Sequence, residues 1–313
     1  MSDPNPVTYF ARANFRGDRR IFGIKRVDRR SHMYVLGKTG VGKSTLLETM
    51  IRQDIENGLG LALLDPHGDL VERVLTCVPD KRTADLIYFN VPDPNQPFGF
   101  NPLGNVAPDK RSLAASGLVA VFKHLWLDAW GPRTEYLILN SVATLLDRSD
   151  STLADIPRLL DNKTFRRSAL FYSRNEQVRR FWLSEYEKYP ARLRAEAIAP
   201  IQNKVGAFLS NPILKKILTE AKTKLNLRQI MDERKLLLVN LSKGKIGEDT
   251  AALLGALLVS RFSLAGLSRA NSDENDRRDF YLYLDEFHAF TTLSLANMLS
   301  ELRKFRCLMK AWT

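Results

Sequence analysis

The chain has 313 residues, with 47 Lys and Arg against 35 Asp and Glu, giving a formal charge of +12 and an isoelectric point near 9.7. Its 44% apolar and 26% charged residues, 17 Gly and 14 Pro exclude collagen-like, low-complexity and wholly disordered chains, and the length suits one large domain or two ordinary ones. Cys77 and Cys307 belong to no CxxC or Cys/His cluster, which argues against a zinc module or disulfide framework, and the sequence has neither a signal peptide nor an apolar run of the roughly 18 to 20 residues that spans a bilayer. The expectation is a cytoplasmic protein with no transmembrane segment of its own.

Residues 1–31 form a basic N-terminal arm, with eight Lys/Arg against three Asp/Glu. From Met33 the pattern becomes that of an α/β protein. The apolar run Met33 to Leu36 enters a glycine-rich turn, and Ser44 to Asn57 follows with Leu46, Leu47, Met50, Ile51 and Ile55 at helical spacing. Leu61 to Leu64, ending at Asp65, and Leu86 to Phe89 are further buried strands, and such runs separated by helices indicate a parallel sheet covered on both faces. From Pro108 the alternation stops. Residues 108–228 are rich in Leu, Ala, Arg and Glu with helical periodicity and read as an all-α insertion, carrying 21 Lys/Arg against 12 Asp/Glu. Strands resume at Leu236 to Leu241 and Phe280 to Leu284, with a helix from Thr250 to Ser268 and an exposed turn at ANSDENDRRD between them. A last helix, Leu295 to Phe305, places Leu295, Met298, Leu299 and Leu302 on one face. The predicted organisation is therefore the arm (1–31), the first part of a P-loop core (32–107), the insertion (108–228) and the second part of the core (229–313). Because the charge surplus is confined to the arm and the insertion, it suggests a phosphate-rich partner such as DNA, with solvated helix faces as the alternative.

Gly37-Lys38-Thr39-Gly40-Val41-Gly42-Lys43-Ser44 matches GxxxxGK(S/T) between a predicted strand and a predicted helix, and Thr45 extends the contact set. The glycines let successive backbone N–H groups turn toward phosphate oxygens at a helix N-terminus. Lys43 is placed to reach the β and γ phosphates of ATP, and the Ser44 hydroxyl to bind Mg²⁺. Phe280 to Leu284 followed by Asp285-Glu286 has the form of a Walker B: Asp285 at the strand end is the second candidate for Mg²⁺, and Glu286 the candidate general base for an attacking water. That glutamate favours hydrolysis over phosphoryl transfer to a second substrate. GTP is disfavoured, since Asn162-Lys163 is followed by Thr164-Phe165 and not by x-Asp. Asp65-Pro66-His67-Gly68-Asp69 reads as a turn and helix cap, with Asp69 near the helix start, in preference to a metal site, and His288 as a residue of the site's rim.

Together HMYVLGKTGVGKSTLL, LLDPHGDL, FGFNPL, LLLVNLSKGKIGED and LDEFHAF followed by LRKF resemble the HerA/FtsK superfamily, and within it the type IV secretion coupling proteins (TraG/TraD-like), from about Arg20 to Phe305. The resemblance implies a RecA-like motor that forms a hexameric ring and translocates DNA in conjugative or type IV secretion transfer. It implies Arg303 as an arginine finger acting on a neighbouring subunit, with a solvated helix face as the alternative, and membrane-complex or relaxosome partners that would supply any membrane association; Lys243 and Lys245, in the loop after LLLVNL, are candidates for channel-side phosphate contacts, with a plain surface loop as the alternative. Family members continue past the last helix into a strand with a nucleotide-sensing Gln, whereas this sequence closes on RCLMKAWT, so a C-terminally truncated copy is expected. Two alternatives remain beside the DNA motor: a catalytically impaired nucleotide-binding remnant acting as a binding module, and a secretion ATPase that moves protein.

Overall fold

In the computed structural model, which describes residues 6–219, 225–290, 299 and 301–312, the basic N-terminal segment folds back on itself: β1 (Val7–Arg12) and β2 (Ile21–Lys25) pair antiparallel. The hairpin is pinned to the first helix by Gln53, whose Oε1 accepts the Tyr9 N–H at 2.9 Å while Nε2 donates to the Tyr9 carbonyl at 2.6 Å. Just after it, Arg29 is 1% exposed and forks onto Asp54, with Nη1 at 2.5 Å and Nη2 at 2.8 Å from the two carboxylate oxygens. Tyr283 closes the network, accepting from Arg29 at 2.9 Å and donating to Asp54 at 2.5 Å. A buried guanidinium is tolerable only when so paired.

Six strands form one parallel sheet: β3 (Met33–Val35), β4 (Gly60–Asp65), β5 (Leu86–Asn90), β6 (Leu236–Asn240), β7 (Phe280–Leu284) and β8 (Cys307–Trp312), in the order β3-β8-β7-β4-β6-β5. Alternate residues serve opposite faces. On β4 Leu61 and Leu63 join one apolar cluster and Ala62 and Leu64 the other; on β7 Tyr281 and Tyr283 are divided from Phe280, Leu282 and Leu284 in the same way. Being buried on both faces is why these strands read as continuous apolar runs.

The helices α1 (Lys43–Glu56) and α2 (Asp69–Leu75) pack on the first face. Between β5 and β6 lie α3 (Arg111–Leu125), α4 (Pro132–Asp147), α5 (Asp155–Asp161), α6 (Lys163–Tyr172), α7 (Glu176–Arg180), α8 (Ala191–Ser210), α9 (Pro212–Leu218) and α10 (Leu227–Asp232), with no strand among the described residues. Asparagines start four of them: Asn162, Asn175, Asn211 and Asn226 each accept a backbone N–H of the helix that follows. Asn162, considered above as part of a guanine-reading motif, is thus a helix cap. These helices share one continuous apolar cluster with the second face of the sheet, through α3 against α12 (Glu248–Ser268), which follows the four-residue turn α11 (Lys243–Ile246). The stretch Glu248–Asn271 is long and apolar enough to cross a membrane, contrary to the sequence reading, but 72% of its most apolar window is buried inside this protein, so it serves as a core helix.

Residues 307–312 differ most from expectation. The sequence pattern assigned them to no element, and they are the strand between β3 and β7, fully buried, with Met33 opposite Lys310 and Leu284 opposite Ala311. Lys310 disguised them: a lysine interrupts the apolar run, yet it is 0% exposed and its Nζ donates to the carbonyls of Arg29 and Ser31 at 2.9 and 2.8 Å. Of the last predicted helix, residues 301–304 are helical, with Leu302 buried; Leu295 and Met298 lie outside the described residues.

Candidate active site

All six strands run parallel, so the loops that leave their C-terminal ends share one edge. The loop after β3 curls through left-handed Gly40 (φ +81°) and Gly42 (φ +91°) into the N-terminus of α1, a backbone path that a side chain would strain. Lys43 Nζ lies back over the loop, donating to the carbonyls of Gly37 at 2.5 Å and Lys38 at 2.9 Å. Gly37, Lys38, Thr39, Gly40, Gly42, Lys43, Ser44 and Thr45 line a cleft of about 580 Å³ together with His67, Asp285, Glu286 and His288. Its size falls within the range of small-ligand sites. Val41, at the loop tip, is 63% exposed and does not line the cleft, and neither does Arg303, which is exposed on the last helical turn.

Asp285 follows β7 and is 8% exposed, its N–H donating to the Leu64 carbonyl at 3.2 Å. Burial pushes its carboxyl above the usual range, and the nearby Asp65 and Glu286 carboxylates push the same way. A carboxylate so placed, lining the cleft with the Ser44 hydroxyl, fits a divalent cation, which would relieve that crowding. Glu286 adopts left-handed backbone (φ +49°), and both its oxygens are engaged: Oε1 with His67 Nε2 at 2.7 Å, Oε2 with Lys243 Nζ at 2.8 Å. Burial would raise its carboxyl, but the hydrogen bonds from Lys243 and His67 hold it below the usual range.

The neighbouring turns fix those two partners. Asp65 is the cap of α2, accepting the N–H groups of Leu70 and Val71 at 2.9 and 3.0 Å as well as that of His67 at 2.8 Å, so Asp65 and not Asp69 holds this turn. Gly68 takes left-handed backbone (φ +93°), which a side chain would strain, and a Cβ there would lie 2.7 Å from Asn240 Oδ1. The backbone N–H of Lys243 donates to the Pro66 carbonyl at 2.7 Å, tying α11 to the same turn. The Lys243 side chain lies on Glu286, while Lys245 is exposed. The sequence singled out the segments that carry His67 and Lys243, but its only pointer from either residue to Glu286 was that all three follow strands of the same sheet edge.

A parallel sheet with a phosphate loop after one strand and adjacent acidic residues after another defines the RecA-like P-loop fold. The family model "Helicase HerA, central domain" matches residues 26–261. The chain belongs to that family. Among solved structures, the bacterial conjugative coupling protein TrwBdeltaN70 in its unbound form is 17% identical with a TM-score of 0.62, covering 93% of this chain and 64% of its own. Plasmid coupling protein TrwB in complex with ADP and Mg²⁺ is likewise 17% identical (TM-score 0.61; 93% and 65% covered), and VirB4 of Thermoanaerobacter pseudethanolicus is 11% identical (TM-score 0.60; 100% and 78% covered). The chain thus spans less than two thirds of the length of the coupling-protein structures it matches. No curated protein sequence matches it.

Proposed function

We propose that this chain is the ATP-hydrolysing motor domain of a DNA translocase of the coupling type used in conjugative or type IV secretion transfer. The observation that carries the reading is the single cleft in which the phosphate loop faces Asp285 and Glu286. In this reading the loop amides of 37–45 and Lys43 bind the phosphates of ATP, with Lys43 exchanging its loop carbonyls for β and γ oxygens. Ser44 and Asp285 hold Mg²⁺, which when bound neutralises charge on the transferring phosphate. Glu286 takes the proton of the attacking water as its oxygen bonds to the γ phosphorus and the bond to ADP breaks. Support for ATP and Mg²⁺ comes from the fold shared with TrwB, whose structures include complexes with an ATP analogue and with ADP and Mg²⁺.

Hexameric rings arise from heterologous contacts that close, and in such a ring exposed Arg303 would reach the nucleotide of a neighbour. The basic surplus of residues 1–31 and 108–228 supports DNA as the polymer. The domain division follows the same logic, a motor core in two segments around a helical insertion, working in the cytoplasm and reaching a membrane complex or relaxosome through partners.

The test is ATP turnover with and without DNA, on material of measured oligomeric state. DNA should stimulate turnover; Lys43→Ala should abolish it, and Glu286→Gln should lower it by about 10²-fold or more while nucleotide binding persists. Equal turnover in the variants refutes the assignment. ATP binding with no DNA-stimulated turnover selects the binding-module alternative, and DNA affinity that does not fall steeply with salt selects a protein substrate.

A further inference from the structure

Glu286 is held away from its proposed task. A general base needs a lone pair directed at the water, yet one carboxylate oxygen is paired with Lys243 and the other with His67, and the residue keeps a left-handed backbone that only tight surroundings maintain. Lys243 is rigidly delivered: its backbone N–H is bonded to Pro66, the next residue of the turn that carries His67, and Leu241 N–H is bonded to Asp65. Its side chain is one third exposed, so an anion can approach it. Two residues further on the same four-residue turn, Lys245 faces solvent.

We propose that Lys243 is a positioning residue that clamps Glu286 in an unproductive pairing, and that a phosphate group drawing Lys243 away frees the carboxylate to face the water. This rests on the motor reading above. The releasing phosphate is the backbone of a nucleic acid reaching α11 by way of Lys245. Polymer binding and hydrolysis are thereby coupled across the length of one lysine side chain.

The experiment compares wild type, Lys243→Met, Lys243→Arg and Lys245→Met as full chains, measuring kcat and KM for ATP with and without single-stranded DNA. The clamp predicts that Lys243→Met raises kcat without DNA, by roughly two- to ten-fold for a partly exposed charge pair with His67 still in place, at unchanged KM. Lys243→Arg should restore the low basal rate, which loss of a merely structural contact would not do. DNA stimulation should shrink in both Met variants, and a stimulation factor unchanged in both overturns backbone phosphate as the release. An unchanged or lowered basal kcat in Lys243→Met, with wild type active, overturns the clamp and leaves the motor reading standing. No turnover in any of the four overturns both.

Discussion

Replacing Lys310 by Met tests how a lysine is accommodated on a buried strand, one in from the β3 edge of the sheet. Lys310 is fully buried, and its Nζ meets two backbone carbonyls, which a neutral amine with two N–H groups satisfies. Burial brings its pKa from the ordinary 10.5 down to about 7, with the Arg29 charge acting in the same direction and Asp54 opposing. Between those two values the unfolded chain binds a proton that the folded chain does not, so this group makes stability rise with pH from about 7 to about 10.5; below 7 both states are protonated and its slope vanishes. The slope is about 1.4 kcal/mol per pH unit, or about 2.5 kcal/mol between about pH 7.5 and pH 9.5. Lys310→Met removes the titration and leaves the Arg29 and Ser31 carbonyls without their donor. Urea denaturation of both proteins across that range, followed by tryptophan fluorescence, should show wild type gaining about 2.5 kcal/mol relative to the variant as pH rises. A pH-independent difference would refute the reasoning, because it would mean that the folded protein keeps an ammonium at this position.

Arg29→Ala, which strands Asp54 in the core beside Tyr283, should cost about 3 to 5 kcal/mol in the same assay; a loss below about 1 kcal/mol would show that the pair contributes little beyond packing. In Gly255→Ala the new Cβ would lie 2.2 Å from the ring of buried Phe290, four residues past Glu286. The overlap should destabilise the protein by about 1 to 3 kcal/mol and lower ATP turnover, both largely recovered by adding Phe290→Leu. Failure of that second change to rescue would place the strain elsewhere.

Much of this protein is determined locally and was therefore readable from the sequence. Strands buried on both faces must be apolar throughout, which exposed β4, β6 and β7; the turn after β3 must be glycine-rich to follow its left-handed path, which exposed the phosphate loop; and Asp285 and Glu286 are adjacent to a strand end whose direction is fixed by parallel pairing. Tertiary structure alone decided what depends on distant partners. The strand β8 contains a lysine, and only the carbonyls of Arg29 and Ser31 make that residue acceptable in a fully buried strand. The N-terminal segment looked like a free basic arm because the carboxylate that neutralises Arg29 lies 25 positions away on α1. Likewise nothing near Lys243 in sequence points to Glu286, 43 positions on; they meet because β6 and β7 flank β4 and end at the same edge. Local pattern sets which segments are strands and where the chemistry-bearing loops leave them, whereas the pairing of charges between those loops is a property of the assembled sheet.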